Sequence, residues 1–292
     1  LAASNQLCRF ILISGFHPQD EVRYYGKDQF LKPLEPIMPL IVHRLPAFSD
    51  NYLWLFHQPG SRLAFVVDPG AAEPVLQALA SLDLDLSGIL ITHHHPDHVG
   101  GVDSLLHHTA VPVYGPPDIH QTTHSLVDGD QLTLDGTHFK ILGVPGHTLD
   151  HIAFFEAETP LVFCGDTLFA GGCGRLFEGS PEQMWRSLSR LAALPPATKI
   201  YCAHEYTKAN LLFAQAVEPE NHAVQKRLKQ VIQLRNRAQA TVPSSLAEEL
   251  ATNPFLRVTQ GSVRQAASAR GLPSGGTVED VFAIIRHWKD QF

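Results

Sequence analysis

The sequence predicts an α/β domain over residues 38–203 followed by an all-helical domain over residues 204–292. Three observations predict it. Between Met38 and Ala203, apolar or alternating runs of strand length are interleaved with helical stretches and closed by Pro, Gly and Asx turns. Beyond His204 the periodic stretches all have helical spacing. The charge changes at the same place: residues 204–292 hold 11 Lys/Arg against 8 Asp/Glu, a net of +3 in a chain of net charge -7.

Leu40–Leu45, Tyr52–His57 and Arg62–Asp68 read as strands joined by turns at Ser49-Asp50-Asn51 and Gln58-Pro59-Gly60, hence a meander. A helix is expected over Glu73–Ser81. The buried strand Gly88–Thr92 then runs into a row of histidines, and a second helix over Val99–His108 follows. Val111–Tyr114, Gln131–Leu142, His151–Glu156 and Leu161–Gly165 return to strand. Pro181–Leu194 reads as a helix, opened by Ser180 as cap and Pro181 at its first position. Lys199–Ala203 is the last expected strand. Helices are expected over Lys208–Val217, His222–Ala240, Ser245–Ala251, Ser262–Ala269 and Thr277–Lys289. Residues 1–37 lack the clean apolar stretch and small-residue cleavage site of a secretory signal and read as a poorly ordered extension outside the fold.

At 292 residues the chain can bury a sizeable core, and 44% hydrophobic with 17% charged residues excludes disordered, collagen-like and coiled-coil classes. No apolar run reaches the roughly 18–20 residues that span a bilayer. The acidic balance argues against nucleic-acid binding. Cys8, Cys164, Cys173 and Cys202 contain no C-x-x-C pair and read as free thiols of a reducing compartment. The cytoplasm is therefore the expected location, and a monomer the expected state.

The unusual feature is histidine. Eleven of the 17 lie between His93 and His151. Imidazole is mostly neutral at pH 7 and is the commonest metal ligand, so the clustering points to metal before surface charge. In Thr92-His93-His94-His95-Pro96-Asp97-His98, residues two apart in an extended strand point the same way. His93 and His95 thus converge on one point while His94 faces elsewhere; Asp97 and His98, past the turn, reach a second point. Two imidazole- and carboxylate-rich pockets suit two borderline cations. Further ligands are expected at other strand ends, and His147 in Gly146-His147-Thr148, Asp166 in Cys164-Gly165-Asp166-Thr167 and His204 in Cys202-Ala203-His204-Glu205 stand there. His151 reads as a neighbour of the site; His107, His108, His120 and His124 do not.

H-x-H-x-D-H, then Gly-His-Thr, Gly-Asp and a late His resemble the metallo-β-lactamase superfamily, which implies an αββα sandwich with the metals at one edge of its sheets. Phe163-Cys-Gly-Asp-Thr-Leu-Phe169, Gly172-Cys-Gly-Arg175, Ala203-His-Glu-Tyr-Thr207 and Asn253-Pro-Phe-Leu-Arg257 resemble its glyoxalase II branch, the hydroxyacylglutathione hydrolases. The similarity runs from about Met38 to the C-terminus. By position it implies His93, His95 and His147 on one metal, Asp97, His98 and His204 on the other, and Asp166 between them. It implies Tyr206, Arg286 and Lys289 on glutathione, with Arg175 and Phe177 beside it. A well-known form of that motif has Lys, an aromatic and Tyr where this chain has Arg175-Leu176-Phe177; the missing hydroxyl removes one substrate hydrogen bond, worth ~1 kcal/mol.

The resemblance implies thioester hydrolysis at two divalent ions, Zn2+ above Fe or Mn, with Asp97 and Asp166 holding the nucleophile. A basic helical tail suits an anionic tripeptide. Three rival readings stand beside it: a β-lactam hydrolase, which commonly has Cys where Asp166 stands; a persulfide dioxygenase with a single iron and fewer ligands; and a metal-dependent nucleic-acid protein, disfavoured by charge.

Overall fold

The computed structural model describes residues 38–292; the expectation for residues 1–37, Cys8 included, lies outside the described residues. The first half builds a mixed six-stranded sheet. Strands β1 (Ile41–Ala47), β2 (Asn51–His57) and β3 (Leu63–Val67) form the expected antiparallel meander. Helix α1 (Glu73–Leu82) crosses over to β4 (Asp85–Leu90), parallel to β3. Helices α2 (Pro96–Val99) and α3 (Val102–His108) lead to the parallel strands β5 (Val113–Gly115) and β6 (His124–Ser125).

The second half builds a second mixed sheet. It contains β7 (Gln131–Leu134), β8 (Thr137–Gly143), β9 (Ile152–Glu156) and β10 (Leu161–Gly165), all antiparallel. A small hairpin follows, β11 (Leu168–Phe169) with β12 (Gly172–Cys173), then α4 (Pro181–Ala192) and β13 (Lys199–Cys202), parallel to β10. Helices α5 (Thr207–Val217) and α6 (His222–Arg235) lead to β14 (Ser244–Ser245) on the edge beside β13. Helices α7 (Leu246–Thr252), α8 (Gly261–Ser268) and α9 (Val278–Gln291) complete the chain.

Strand β2 shows how the sequence makes layers. Its alternation sends Leu53 and Leu55 to one face, against Val75 and Leu79 of α1 and Val102 and Leu105 of α3. Tyr52, Trp54 and Phe56 take the other face, against the second sheet. The Phe56 ring lies 5.4–5.5 Å from those of Phe65, Phe139 and Phe163, so it joins the two sheets. Met184, Leu188 and Leu191 of α4 belong to the same core. Helix, sheet, sheet and helix thus stack as the αββα sandwich, with both sheets mixed and a helical C-terminal part.

Several boundaries differ from expectation, each for a local reason. The strand expected over Gln131–Leu142 is two strands, because Asp135 and Gly136 both adopt positive φ (45° and 79°), the tight turn that an Asp-Gly pair favours. The helix expected over Val99–His108 breaks at Gly100-Gly101, which are pressed against backbone; a Cβ on Gly101 would stand 2.5 Å from the Pro69 carbonyl oxygen. Strand β14 lies beyond His204, where only helices were expected. Ser180 and Gln183 form the full capping box at the start of α4.

Candidate metal centre

The seven predicted metal-capable residues come together along one edge of the two sheets. Thr92 leaves β4 with its backbone N–H and hydroxyl both donating to Asp68, at 2.7 Å each. That clamp delivers His93, which is fully buried, and His95 to one place. His93 Nε2 and His147 Nε2 lie 3.1 and 3.0 Å from His95 Nδ1. The single turn α2 carries Asp97 and His98. His98 Nε2 stands 3.6 Å from Asp97 and 3.5 Å from Asp166, and His204 Nε2 stands 3.5 and 3.4 Å from the same two carboxylates.

Asp166 lies between the groups. Its Oδ2 is 3.4 Å from His147 Nε2 on one side and 3.4 Å from His204 Nε2 on the other. The turn that aims it needs glycine at 165: φ is +46°, and a Cβ there would meet the Thr92 hydroxyl at 2.3 Å.

Donor atoms of His93, His95 and His147 fall within 4.8 Å of one another, as do those of His93, His98 and Asp166 and those of Asp97, His98 and His204. Both ring nitrogens of His98 and Oδ1 of Asp166 are buried with no hydrogen-bond partner; His98 Nδ1 is 3.0 Å from Asp68 without the alignment of a bond. Buried polar atoms without partners are costly. Neutral imidazoles and carboxylates converging in this way fit a pair of divalent cations.

The charges agree. Burial, and then His98 beside it, push His93 well below its ordinary pKa, favouring the neutral ring a metal needs. His204 at 3.5 Å, and then His98, hold the Asp97 carboxyl well below the usual carboxylate range, so it is ionised. Burial opposes charge on His204, yet the Asp166 and Asp97 carboxylates outweigh it and hold the ring up to about 10. At buried His98, Asp166 and Asp68 likewise outweigh burial and hold the ring well above its ordinary pKa, so these two rings carry protons that a bound cation would displace.

Other side chains fix these residues. Asp50 accepts from His204 Nδ1 at 2.8 Å, and Asn51 donates to Asp97 at 2.9 Å. His151, already expected nearby, is buried and stacked on His93 at 4.5 Å, and its Nε2 accepts from the Asp166 backbone N–H at 3.1 Å. Burial and His147 lower it to about 3, so it stays a neutral acceptor. The Arg175 carbonyl accepts from His147 Nδ1 at 2.8 Å. Asp50, Asn51 and Asp68 carried no sequence signal beyond a turn or a strand end. His94 faces away, as expected, and meets Asp150 and Glu178. His107, His108, His120 and His124 are exposed. Cys164, Cys173 and Cys202 are free, buried thiols.

The five predicted substrate residues share one cavity of about 390 Å3 with His147 and Asp166. Arg175, Phe177 and Lys289 line it. Tyr206 stacks on His204 at 4.7 Å, and Phe177 sets its ring edge against His95 and His147. Arg286 is mostly committed elsewhere: it donates to the Cys173 carbonyl at 3.0 Å and to Asp290 at 3.0 Å, and its Nε is buried without a partner. Burial and neighbouring Arg286 push Lys289 below its ordinary pKa. A larger groove of about 830 Å3 between α5, α6 and α8 holds none of these residues.

A mixed two-sheet sandwich with paired His/Asp clusters at its edge defines the metallo-β-lactamase superfamily, and that superfamily's model matches residues 51–204. Its fold implies a binuclear divalent metal site, with which the clusters agree. Residues 205–292 match the model of the hydroxyacylglutathione hydrolase C-terminus. A hydroxyacylglutathione hydrolase of Pseudomonas paraeruginosa is 54% identical over 255 residues, covering 86% of this chain and 99% of that protein. The chain belongs to the hydroxyacylglutathione hydrolase family. Among solved structures it is similar to ETHE1 of Myxococcus xanthus (TM-score 0.60, 25% identity, 85% and 91% of the two chains). It is also similar to TTHA1623 in a di-iron-bound form (TM-score 0.53, 27% identity, 73% and 98%).

Proposed function

We propose that this chain hydrolyses S-(2-hydroxyacyl)glutathione thioesters such as S-D-lactoylglutathione, the second step of methylglyoxal detoxification. Water adds to the thioester carbonyl, the C–S bond breaks, and glutathione thiol and a 2-hydroxy acid leave. The observation that carries this reading is the shared cavity, which joins His147 and Asp166 to the cations Arg175 and Lys289.

His93, His95 and His147 would hold one ion, Asp97, His98 and His204 the other, and Asp166 would bridge them. Zn2+ suits this donor set, as do Fe and Mn. Such a pair supplies Lewis acidity and a water whose pKa lies near neutrality.

The chain's own residues do the rest. Asp97, held by Asn51, and Asp166, held by His151, present ionised acceptors that orient the attacking water. Lys289, Arg175 and Tyr206 bind the anionic tripeptide, and that remote binding places the thioester carbon. A thiolate leaving group of pKa about 8.5 needs little proton assistance, so no separate general acid is required. Residues 38–203 then form the catalytic domain and residues 204–292 the glutathione-binding domain. A monomer in the cytoplasm is part of the same reading.

Loss of thioester absorbance from S-D-lactoylglutathione tests it. Turnover with no activity on a β-lactam or a persulfide is expected; the reverse pattern would overturn the assignment.

A further inference from the structure

The segment between Asp166 and Phe177 makes the small hairpin and then runs against His147 and the Asp166 backbone. Its backbone polar groups are captured one after another by side chains from the helical residues beyond 204. Asn253 Nδ2 donates to the Phe169 and Gly172 carbonyls at 3.2 and 2.9 Å. Asn210 Nδ2 donates to the Ala170 carbonyl at 3.1 Å, and Arg286 to the Cys173 carbonyl. Glu249 accepts from the Gly171 N–H at 2.7 Å and from Asn253 at 3.1 Å. Its other oxygen takes Arg227 at 2.6 Å, and Arg227 also reaches Thr252 at 2.7 Å.

Glu249 and Asn253 are fully buried and Arg227 nearly so. A buried ion pair is weak evidence for stability, because desolvation offsets the attraction. Here the carboxylate also takes Asn253 and the Gly171 N–H, and Gly171 lies in the segment that leads on to the site.

The far end of the segment touches two of the metal-capable residues. The Arg175 carbonyl accepts from His147 Nδ1, which leaves Nε2 directed at His95 and Asp166. Gly174 lies so close that a Cβ would stand 2.0 Å from the Asp166 carbonyl oxygen and 3.1 Å from His147 Nδ1. A shift of the segment therefore moves His147, the backbone at Asp166 and the Arg175 side of the cavity together.

We infer that Glu249 is a positioning residue: acting through the 169–175 segment, it holds His147 in its ligand orientation and sets the cavity wall against the metal centre. The helical residues then shape the metal site as well as binding substrate. This inference rests on the function proposed above, and its test has a readout that does not.

Glu249→Gln keeps the shape but removes the charge. Glu249→Asp keeps the charge beside Arg227 and draws the oxygen away from Gly171, which covers the case where Glu249→Gln fails to fold. Leu246→Ala, in the same helix and fully buried but outside the polar network, is the stability control. Zinc retention against a chelator and KM for S-D-lactoylglutathione are measured on each, alongside Tm. Each Glu249 variant should release zinc at about tenfold lower chelator concentration, the scale seen when a ligand's orienting partner is lost, and should show a raised KM. Leu246→Ala should lower Tm with both quantities within about twofold of wild type. Equal changes in all variants, or unchanged zinc retention in both Glu249 variants, would overturn the inference. If the wild-type chain does not turn over the thioester at all, the functional reading fails while zinc retention still decides this one.

Discussion

Several side chains in the cluster are oriented by a neighbour outside it, and the consequences can be measured one residue at a time. Asp50 is the clearest case: it accepts from His204 Nδ1 and so sets that ring's direction. Asp50→Ala should weaken metal retention about 10-fold or more, seen as loss of one equivalent on dialysis, with the fold intact by circular dichroism. Lys289→Ala should raise KM for the glutathione thioester with kcat less affected, because it would remove a distant anchor; a fall in kcat at unchanged KM would contradict that role. Arg286→Ala should be less selective, because Arg286 also holds the Cys173 carbonyl. The seven metal-capable residues were legible in the sequence because they lie in short motifs at strand ends. Asp50 was not: it meets His204 across 154 positions of sequence, and only the approach of β1–β2 to the end of β13 joins them. Arg286 was legible by resemblance, but its bond to Cys173 was not.

Among the elements, strands of five residues or more were legible by periodicity. The two-residue strands β6, β11, β12 and β14 were not, since so short a pairing has no period. The Asp135-Gly136 hairpin was legible in principle, both from Asp-Gly, a strong hairpin signal, and from the apolar phase, which shifts across it from Leu132 and Leu134 to Phe139 and Ile141. The helices past 204 are joined by a paired carboxylate: Arg257 donates to both oxygens of Glu218, at 2.7 and 3.0 Å. Burial opposes its charge, but Arg257 and Ser262 together lower the Glu218 pKa below its ordinary 4.5. A depressed carboxylate contributes stability that is present above the unfolded pKa and lost as pH falls through the folded one. Tm should therefore fall on acidification below about pH 4.5, and Glu218→Gln should flatten that fall while lowering Tm at pH 7; an unchanged acid limb would contradict the pairing.

For the whole molecule, the sandwich holds the two halves of the centre in register. His93 to His98 come from the first sheet and the turn beyond it; His147, Asp166 and His204 come from the second. Phe56, packed against both sheets, is part of that registration. Phe56→Ala should cost about 3–5 kcal/mol by denaturant unfolding and reduce metal retention with it. No helix among the described residues is long and apolar enough to cross a membrane.

Two divalent ions, held by both halves of this cluster, would supply the chemistry for hydrolysing a glutathione thioester. The most direct test is to strip the protein with a chelator and titrate Zn2+ back while following S-D-lactoylglutathione cleavage. Activity should rise to its plateau as the second equivalent per chain binds, and Asp166→Asn should bind fewer than two. Full activity at a single equivalent, or no thioester cleavage at any loading, would contradict it.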